Sequence, residues 1–164
     1  MAKGRRKKYT VLWVQSLAEV PQEAWDALAV PLETPLLEWV WLREMEESGS
    51  IATEAGWLPI HLTVWSGSEL IAAAPLYLKN HSMGEFVWDY VWVELAQKLK
   101  AEYYPKLIGM SPVSPIVGYR FLMAPGEDER ALTALMIGQI DTFCRRNNIA
   151  SCSFYFVDPQ WQPF

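Results

Sequence analysis

The sequence predicts an α/β fold in which helices flank a mixed β-sheet. Three observations predict it: 51% of the 164 residues are hydrophobic, apolar residues alternate with polar ones in some segments and recur at helical spacing in others, and the two kinds of segment intermix along the chain. A chain of this length can bury one hydrophobic core. We therefore expect one domain over residues 9–164, with the element order β-α-α-β-β-α-β-α-β.

The first elements are predicted to be a strand and two helices. Residues 11–14, Val-Leu-Trp-Val, are β-branched, aliphatic or aromatic and predict a strand buried on both faces. Pro21 can begin a short helix, and Pro31 ends it. Thr34 can cap a second helix that begins at Pro35 and ends before a Ser-Gly-Ser sequence.

A β-hairpin is predicted next, with arms over residues 58–65 and 69–78. The first arm alternates between two sets of side chains, and Ser-Gly-Ser at 66–68 makes a tight turn into the second. His61 lies in the first arm, where we interpret it as a surface or hydrogen-bonded histidine in preference to a metal ligand.

The period then changes to that of a helix over residues 85–101. One helical face carries four large apolar side chains and is predicted to pack on the core: Trp88, Trp92, Leu95 and Leu99.

The C-terminal part is predicted to contain short strands around one long helix. Prolines and glycines limit the strands to residues 106–110 and 119–123, and a last strand covers 151–157. The long helix has acidic residues 127–129 at its start and basic residues 145–146 at its end, which suits the helix dipole.

The charges are distributed unevenly. The net charge is −5, yet five of the fourteen basic residues lie in residues 1–8, which we expect to form a disordered basic tail. Beyond them the remaining nine basic residues face nineteen acidic ones. Nucleic-acid affinity depends on Lys and Arg neutralising phosphates, so DNA is not an expected partner.

Few residues are available for metal or disulfide chemistry. The chain has two cysteines, eight positions apart, and two histidines, in no metal-binding motif, so no metal site is predicted. The longest stretch without a charged residue is residues 55–68, which is too short to span a bilayer. We expect a cytoplasmic protein without a membrane span.

A first group of polar residues lies where the hairpin meets the following helix, around Gly84. His81 could act as a general base, Glu85 or Asp89 could orient it, and Lys79 could hold an anionic group, with Ser82 beside them. The alternative is a polar loop in which Glu85 and Asp89 are merely first-turn helix acids.

A second group comprises Tyr103, Tyr104 and Lys106, with Arg120 beyond the next prolines. Tyrosine hydroxyls near a lysine suit a peptide or sugar pocket. Tyrosines at the edge of a core are the alternative.

Three runs carry a resemblance to a known family: EESGSIATEAGWLPIHL, PLYLKNHSMGEFVWD and YYPKLIGMSPVSPIVG. They resemble the FemAB-like peptidoglycan biosynthesis/recognition family of the GNAT N-acyltransferase superfamily. The resemblance implies a GNAT-type fold and transfer of an acyl or aminoacyl group to an amine-bearing small molecule or peptide. In the better-known Fem transferases the donor is aminoacyl-tRNA and the acceptor is a peptidoglycan precursor.

The resemblance also marks site residues. We predict His81 or Glu85 as the catalytic base and Lys79 with Tyr104 as orienting groups. The remaining predicted substrate-binding residues are Ser82, Asp89, Tyr103 and Lys106, together with Arg120, which lies outside the motif positions.

The donor is not expected to be acetyl-CoA. Users of acetyl-CoA in the superfamily hold its pyrophosphate in a Gly-rich loop before a helix. Here the corresponding residues read MAPGEDERAL, and Glu127, Asp128 and Glu129 would repel a pyrophosphate. We predict an unidentified acyl donor, with aminoacyl-tRNA as one possibility, and no tightly bound cofactor.

The resemblance covers one half of a two-part protein. We therefore expect part of an acyltransferase: a domain truncated at its C-terminal end, whose sheet is completed by a second half or by a homodimer. The alternative function is a non-catalytic module that recognises a cell-wall peptide or a protein partner.

Overall fold

The computed structural model describes residues 8–161, so all of the predicted basic tail except Lys8 lies outside the described residues. Within this range the α-helices are α1 (Gln22–Ala29), α2 (Trp39–Glu47), α3 (Tyr90–Lys98) and α4 (Glu129–Arg146). The strands in the same range are β1 (Thr10–Val14), β2 (Trp57–Pro59), β3 (His61–Ser66), β4 (Glu69–Ala74), β5 (Tyr77–Lys79), β6 (Lys106–Gly109), β7 (Leu122–Met123) and β8 (Ser151–Phe154).

In the described part of the chain the strands form two four-stranded sheets that share the predicted hairpin. The first sheet has the order β1-β3-β4-β7 and is antiparallel, and the second has the order β2-β5-β6-β8 with β6 and β8 parallel. Each arm of the hairpin runs through both sheets, and the Ile60 N–H donates to the Leu76 carbonyl at 2.9 Å where they divide. The predicted α/β fold with mixed strand pairing is confirmed.

β1 is an edge strand, which corrects the prediction that it is buried on both faces. Among residues 8–161 it pairs only with β3, and Leu12 is 47% exposed while Val14 is buried. A short apolar run fits an edge strand as well as a central one, because periodicity does not record how many neighbours a strand has.

α2 begins later than predicted. Residues 35–37 form a separate 3-10 turn, and the Thr34 hydroxyl donates to the Leu32 carbonyl instead of capping a helix. The Trp39 N–H at the start of α2 is instead satisfied by Asp26 of α1, at 2.8 Å. The cap is therefore supplied by a distant side chain.

α3 departs furthest from the prediction. It spans nine residues and has no buried residue. The face predicted to pack on the core is instead exposed by 81% at Trp88, 63% at Trp92, 42% at Leu95 and 69% at Leu99. Residues 85–89 stay outside the helix because the carboxylates of Glu85 and Asp89 turn inward and bind Lys106.

The main core packs α1, α2 and α4 against the first sheet. Trp25 of α1 is fully buried and its indole N–H donates to the Leu37 carbonyl at 2.9 Å. α4 forms as predicted, with Asp128 accepting the Ala131 N–H at 3.0 Å as its N-cap.

His61 is a buried, hydrogen-bonded residue at the division between the sheets. Its Nδ1 accepts the Leu76 N–H at 3.1 Å, and its Nε2 lies 3.3 Å from a Glu46 carboxylate oxygen. Both ring nitrogens therefore have partners, which agrees with the hydrogen-bonded interpretation of this side chain.

Candidate functional site

Two lysines face each other on neighbouring strands of the second sheet. Lys79 of β5 and Lys106 of β6 are direct cross-strand partners, and both side chains are at most 1% exposed. Like charges at such positions repel. Residues 80–89 connect β5 to α3, and we call them the segment before α3. Glu85 and Asp89 of this segment supply the compensating charges. We call these four residues the lysine–carboxylate cluster.

Lys106 binds the whole segment before α3. Its ammonium donates to Ser82 Oγ, Glu85 Oε2 and Asp89 Oδ2, each at 2.7 Å. Burial alone would lower the pKa of Lys106, but the bonds to Asp89 and Glu85 outweigh burial and raise it. Because an ammonium has three protons, Lys106 has none left for a ligand.

Lys79 makes fewer hydrogen bonds than Lys106. Its ammonium donates to the Met83 carbonyl, lies 3.5 Å from Glu85 Oε1, and lies 3.5 Å from the centroid of the Trp57 ring. Burial lowers the pKa of Lys79 to about 8, although the Glu85 carboxylate partly opposes the change.

The hydroxyl protons in the site can be assigned from the partners. Ser82 donates its single proton to Asp89 Oδ2 at 2.6 Å. The Tyr104 hydroxyl, 2.8 Å from Ser82 Oγ, must therefore be the donor in that contact. The Tyr104 oxygen is left as an acceptor.

Asp89 is the second centre of the network. Besides Ser82 and Lys106, Tyr103 donates its hydroxyl proton to Asp89 Oδ2 at 2.8 Å. Burial alone would raise the pKa of Asp89, but the bonds from Lys106, Ser82 and Tyr103 outweigh it and lower the pKa. Asp89 is thus held as a carboxylate.

His81 lies beside this network and is partly exposed. Its Nδ1 accepts the Met83 N–H at 3.1 Å, so the neutral ring carries its proton on Nε2. The ring packs against Gly56: a Cβ at that position would lie 1.8 Å from His81 Nε2. Glycine therefore sets the position of the imidazole.

Two cavities flank the segment before α3, and Val87 lines both. The aromatic cavity, of about 460 Å³, is lined by His81, Ser82, Met83, Gly84, Phe86, Val87, Trp88, Tyr90 and Tyr104. The α3–β8 cavity, of about 510 Å³, is lined by Val87, Asp89, Trp92, Leu95, Ala96, Leu99, Ala101, Tyr103, Ser151, Ser153 and Tyr155.

The fold brings most of the predicted site residues together. Seven of them form the network just described: Lys79, Ser82, Glu85, Asp89, Tyr103, Tyr104 and Lys106. His81 lines the aromatic cavity, whereas Glu85 is fully buried and lines neither cavity. The interpretation of Glu85 and Asp89 as simple first-turn acids is wrong, because both side chains bind Lys106 and Asp89 does not cap α3 with its side chain.

Arg120 lies apart from the other predicted residues. Its guanidinium is 2.9 Å from Glu129 and 3.6 Å from Asp158, and neither residue belongs to the network. Its part in substrate binding stays a prediction.

Sequence reasoning missed the aromatic walls. Phe86, Trp88 and Tyr90 line the aromatic cavity, and Trp57 carries the Lys79 ammonium on its ring. The available signal was their proximity in the chain to His81 and Ser82, but their helical spacing favoured a core assignment.

The described residues contain neither a metal-binding cluster nor a membrane-spanning helix. Within residues 8–161, no three His, Cys, Asp or Glu side chains are grouped so that they could hold a metal ion. In the same part of the chain, no helix is long and apolar enough to cross a membrane.

The fold and site define a mixed α/β domain with a buried lysine–carboxylate cluster between two cavities. The family model described as peptidoglycan biosynthesis/recognition matches residues 16–164, and the chain belongs to this FemAB-like family. No curated protein matches the chain. A crystal structure of a GCN5-related N-acetyltransferase from Ralstonia eutropha JMP134 is similar at 8% identity with a TM-score of 0.45, covering 90% of this chain and 83% of that one.

Lys106→Met should destabilise the domain strongly. The substitution leaves Glu85 and Asp89 buried without their shared cation, which costs about 3–5 kcal/mol when a buried pair is broken. Urea unfolding measures the loss. Lys98→Met, on the exposed surface of α3, is the control and should change the unfolding free energy by about 0.5 kcal/mol at most. Equal effects of the two variants would contradict the assigned network.

Gly56→Ala should displace His81, whereas Gly49→Ala should not. Both glycines have the same left-handed backbone, with φ of +75° and +76°, so both variants pay a similar strain of about 1–2 kcal/mol. Only at Gly56 would the new Cβ meet the imidazole. The Met83 amide resonance, which reports the bond to His81, should shift in Gly56→Ala alone. Identical spectra around Met83 in both variants would refute the packing.

Lys79 should titrate near pH 8. Loss of the ammonium proton over the Trp57 ring should change tryptophan fluorescence with that midpoint, and the transition should vanish in Lys79→Met and in Trp57→Phe. Lys8→Met, at an exposed position, is the control and should retain it.

The same titration should appear in stability. The folded pKa of about 8 lies below the ordinary value of 10.5, so between these pH values the folded state binds fewer protons than the unfolded state. The contribution of Lys79 to the free energy of unfolding should therefore rise with pH across this window. Urea unfolding of wild type and Lys79→Met at pH 7 and 9.5 measures it, and a constant difference would contradict the shift.

Proposed function

We propose that the domain serves in transfer of an acyl or aminoacyl group to an amine acceptor. Membership of a family concerned with peptidoglycan biosynthesis and recognition supports an amine-bearing cell-wall peptide as the acceptor. The observation that carries the proposal is the aromatic cavity, because its lining includes both Tyr104, whose hydroxyl oxygen can accept a hydrogen bond, and His81, whose ring can donate one.

Acyl transfer to an amine needs both kinds of group. The amine nitrogen forms a bond to the acyl carbon, the bond from that carbon to the donor's leaving group breaks, and the surplus amine proton ends on the leaving group. Tyr104 can accept a hydrogen bond from the attacking amine. His81, whose ring lines the aromatic cavity, can donate a hydrogen bond to the carbonyl oxygen as it gains charge.

The buried residues act on the substrate indirectly in this proposal. Glu85 is fully buried between the two lysines, so it positions Lys106 and, through it, Ser82. Ser82 in turn accepts a hydrogen bond from the Tyr104 hydroxyl. This bond fixes the direction from which the Tyr104 oxygen can accept a hydrogen bond. The earlier assignments of His81 or Glu85 as the base stay predictions.

The start of α4 supports a donor other than acetyl-CoA. Asp128 already caps the helix, and Glu129 binds Arg120. Carboxylates at this position disfavour a pyrophosphate. Aminoacyl-tRNA is the donor that the better-known Fem transferases suggest, and such a donor accords with the predicted cytoplasmic location.

A non-catalytic module is the second candidate function. It is favoured by the cluster itself, since Lys106 has no free proton and Lys79 and Glu85 are fully buried. Such a site could recognise a cell-wall peptide without transferring a group. The predicted completion of the sheet edge by a second half or a homodimer belongs to either function and stays a prediction.

A mass-spectrometric transfer assay separates the candidates. The chain is incubated with a lysine-containing peptidoglycan stem peptide and either charged tRNAs or acyl-CoAs, and mass gain of the peptide is measured. We expect transfer from charged tRNA. Tyr104→Phe and His81→Ala should each reduce the rate by about tenfold or more, whereas Tyr9→Phe, which removes a hydroxyl outside the site, should not.

Calorimetry with the same peptide completes the test. Binding without mass gain from any donor would support the recognition module and overturn transfer. If the peptide neither binds nor gains mass, both functions are overturned. Unchanged rates in Tyr104→Phe and His81→Ala, with transfer intact, would overturn the assigned roles.

A further inference from the structure

The α3–β8 cavity is separate from the aromatic cavity and has two chemically different walls. The wall from α3 is apolar and includes Trp92, Leu95 and Leu99. The wall from β8 and the residue after it carries hydroxyls, because side chains alternate along a strand and Ser151, Ser153 and Tyr155 share one face. An apolar molecule with a polar group suits such a lining.

Asp89 lies on the lining of this cavity with one oxygen unused. Its side chain is 5% exposed. Oδ2 accepts from Ser82, Tyr103 and Lys106, whereas Oδ1 is buried and has no hydrogen-bond partner among residues 8–161. A buried acceptor without a donor is costly. A ligand that brings a donor to Oδ1 would remove that cost.

The charges around Asp89 decide what kind of donor fits. The lysine–carboxylate cluster pairs two ammonium groups with two carboxylates and is neutral as a unit. The raised pKa values of Tyr103, mainly from burial and its bond to Asp89, and of Tyr155, mainly from burial, keep both phenols uncharged. A cation or an anion would unbalance this buried set, but a neutral hydroxyl or amide would not.

We propose that the α3–β8 cavity binds a small neutral molecule with an apolar body and one hydroxyl or amide N–H, which donates to Asp89 Oδ1. The apolar body of the molecule contacts the α3 residues that line the cavity, and no residue of α3 is buried. The site does not depend on the transfer reaction, and its occupant is not the amine acceptor of the aromatic cavity.

Four probes with one aromatic body test the proposal: 2-phenylethanol, its methyl ether, phenethylamine and phenylacetate. Binding to the whole chain is followed by amide chemical shifts. We expect saturable shifts from 2-phenylethanol that cluster on α3 and β8, and affinities at least tenfold weaker for the other three. Equal binding of the ether would show that no donor is recognised and would overturn the proposal, as would tighter binding of the amine or acid.

A filled cavity provides the matched control. Ala96→Phe puts a ring into the cavity from α3, whereas Ala134→Phe puts the same ring on an exposed position of α4. Binding of 2-phenylethanol should fall at least tenfold in the first variant and stay unchanged in the second, with circular dichroism confirming that both are folded. Shifts centred on His81 and Tyr104, or no binding up to the solubility limit, would overturn the assignment. Because no acyl donor is used, the result does not depend on transfer activity.

Discussion

The buried ammonium of Lys106 is the constraint on which the site depends. One nitrogen holds Ser82, Glu85 and Asp89 at 2.7 Å each and thereby binds the segment before α3 to the second sheet. Burying an ion is unfavourable unless all of its bonds are satisfied. All three protons of Lys106 are bonded, and these bonds fix the positions of the Ser82, Glu85 and Asp89 side chains.

The exposed aromatic surface is a consequence of that bond set. Drawing Glu85 and Asp89 inward prevents residues 85–89 from continuing α3 toward its N-terminus. Phe86 adopts a left-handed backbone with φ of +57°, and Trp88 is left largely exposed. The exposure of these aromatic side chains is therefore a consequence of the two carboxylates that bind Lys106.

The network also gives the two cavities different chemistry. On one side Ser82 and Tyr104 transmit the hydrogen-bond direction from Asp89 to the Tyr104 oxygen. On the other side the same carboxylate leaves Oδ1 without a donor. A single ionised group thus connects the linings of the two cavities, and a change at Asp89 would be felt in both.

The sequence by itself determined several local elements and most members of the buried network. The hairpin, the capped α4 and the grouping of residues 79–89 with 103–106 could be predicted, since turn residues, caps and motif strings are local signals. The tertiary structure alone decided three things: the edge position of β1, the exposure of the apolar face of α3, and the separation of Arg120 from the site. Periodicity states which residues share a face but not what covers it. The contacts that keep residues 85–89 out of α3 join Ser82, Glu85 and Asp89 to Lys106. Lys106 lies 17 to 24 residues further along the chain, beyond the reach of local sequence patterns.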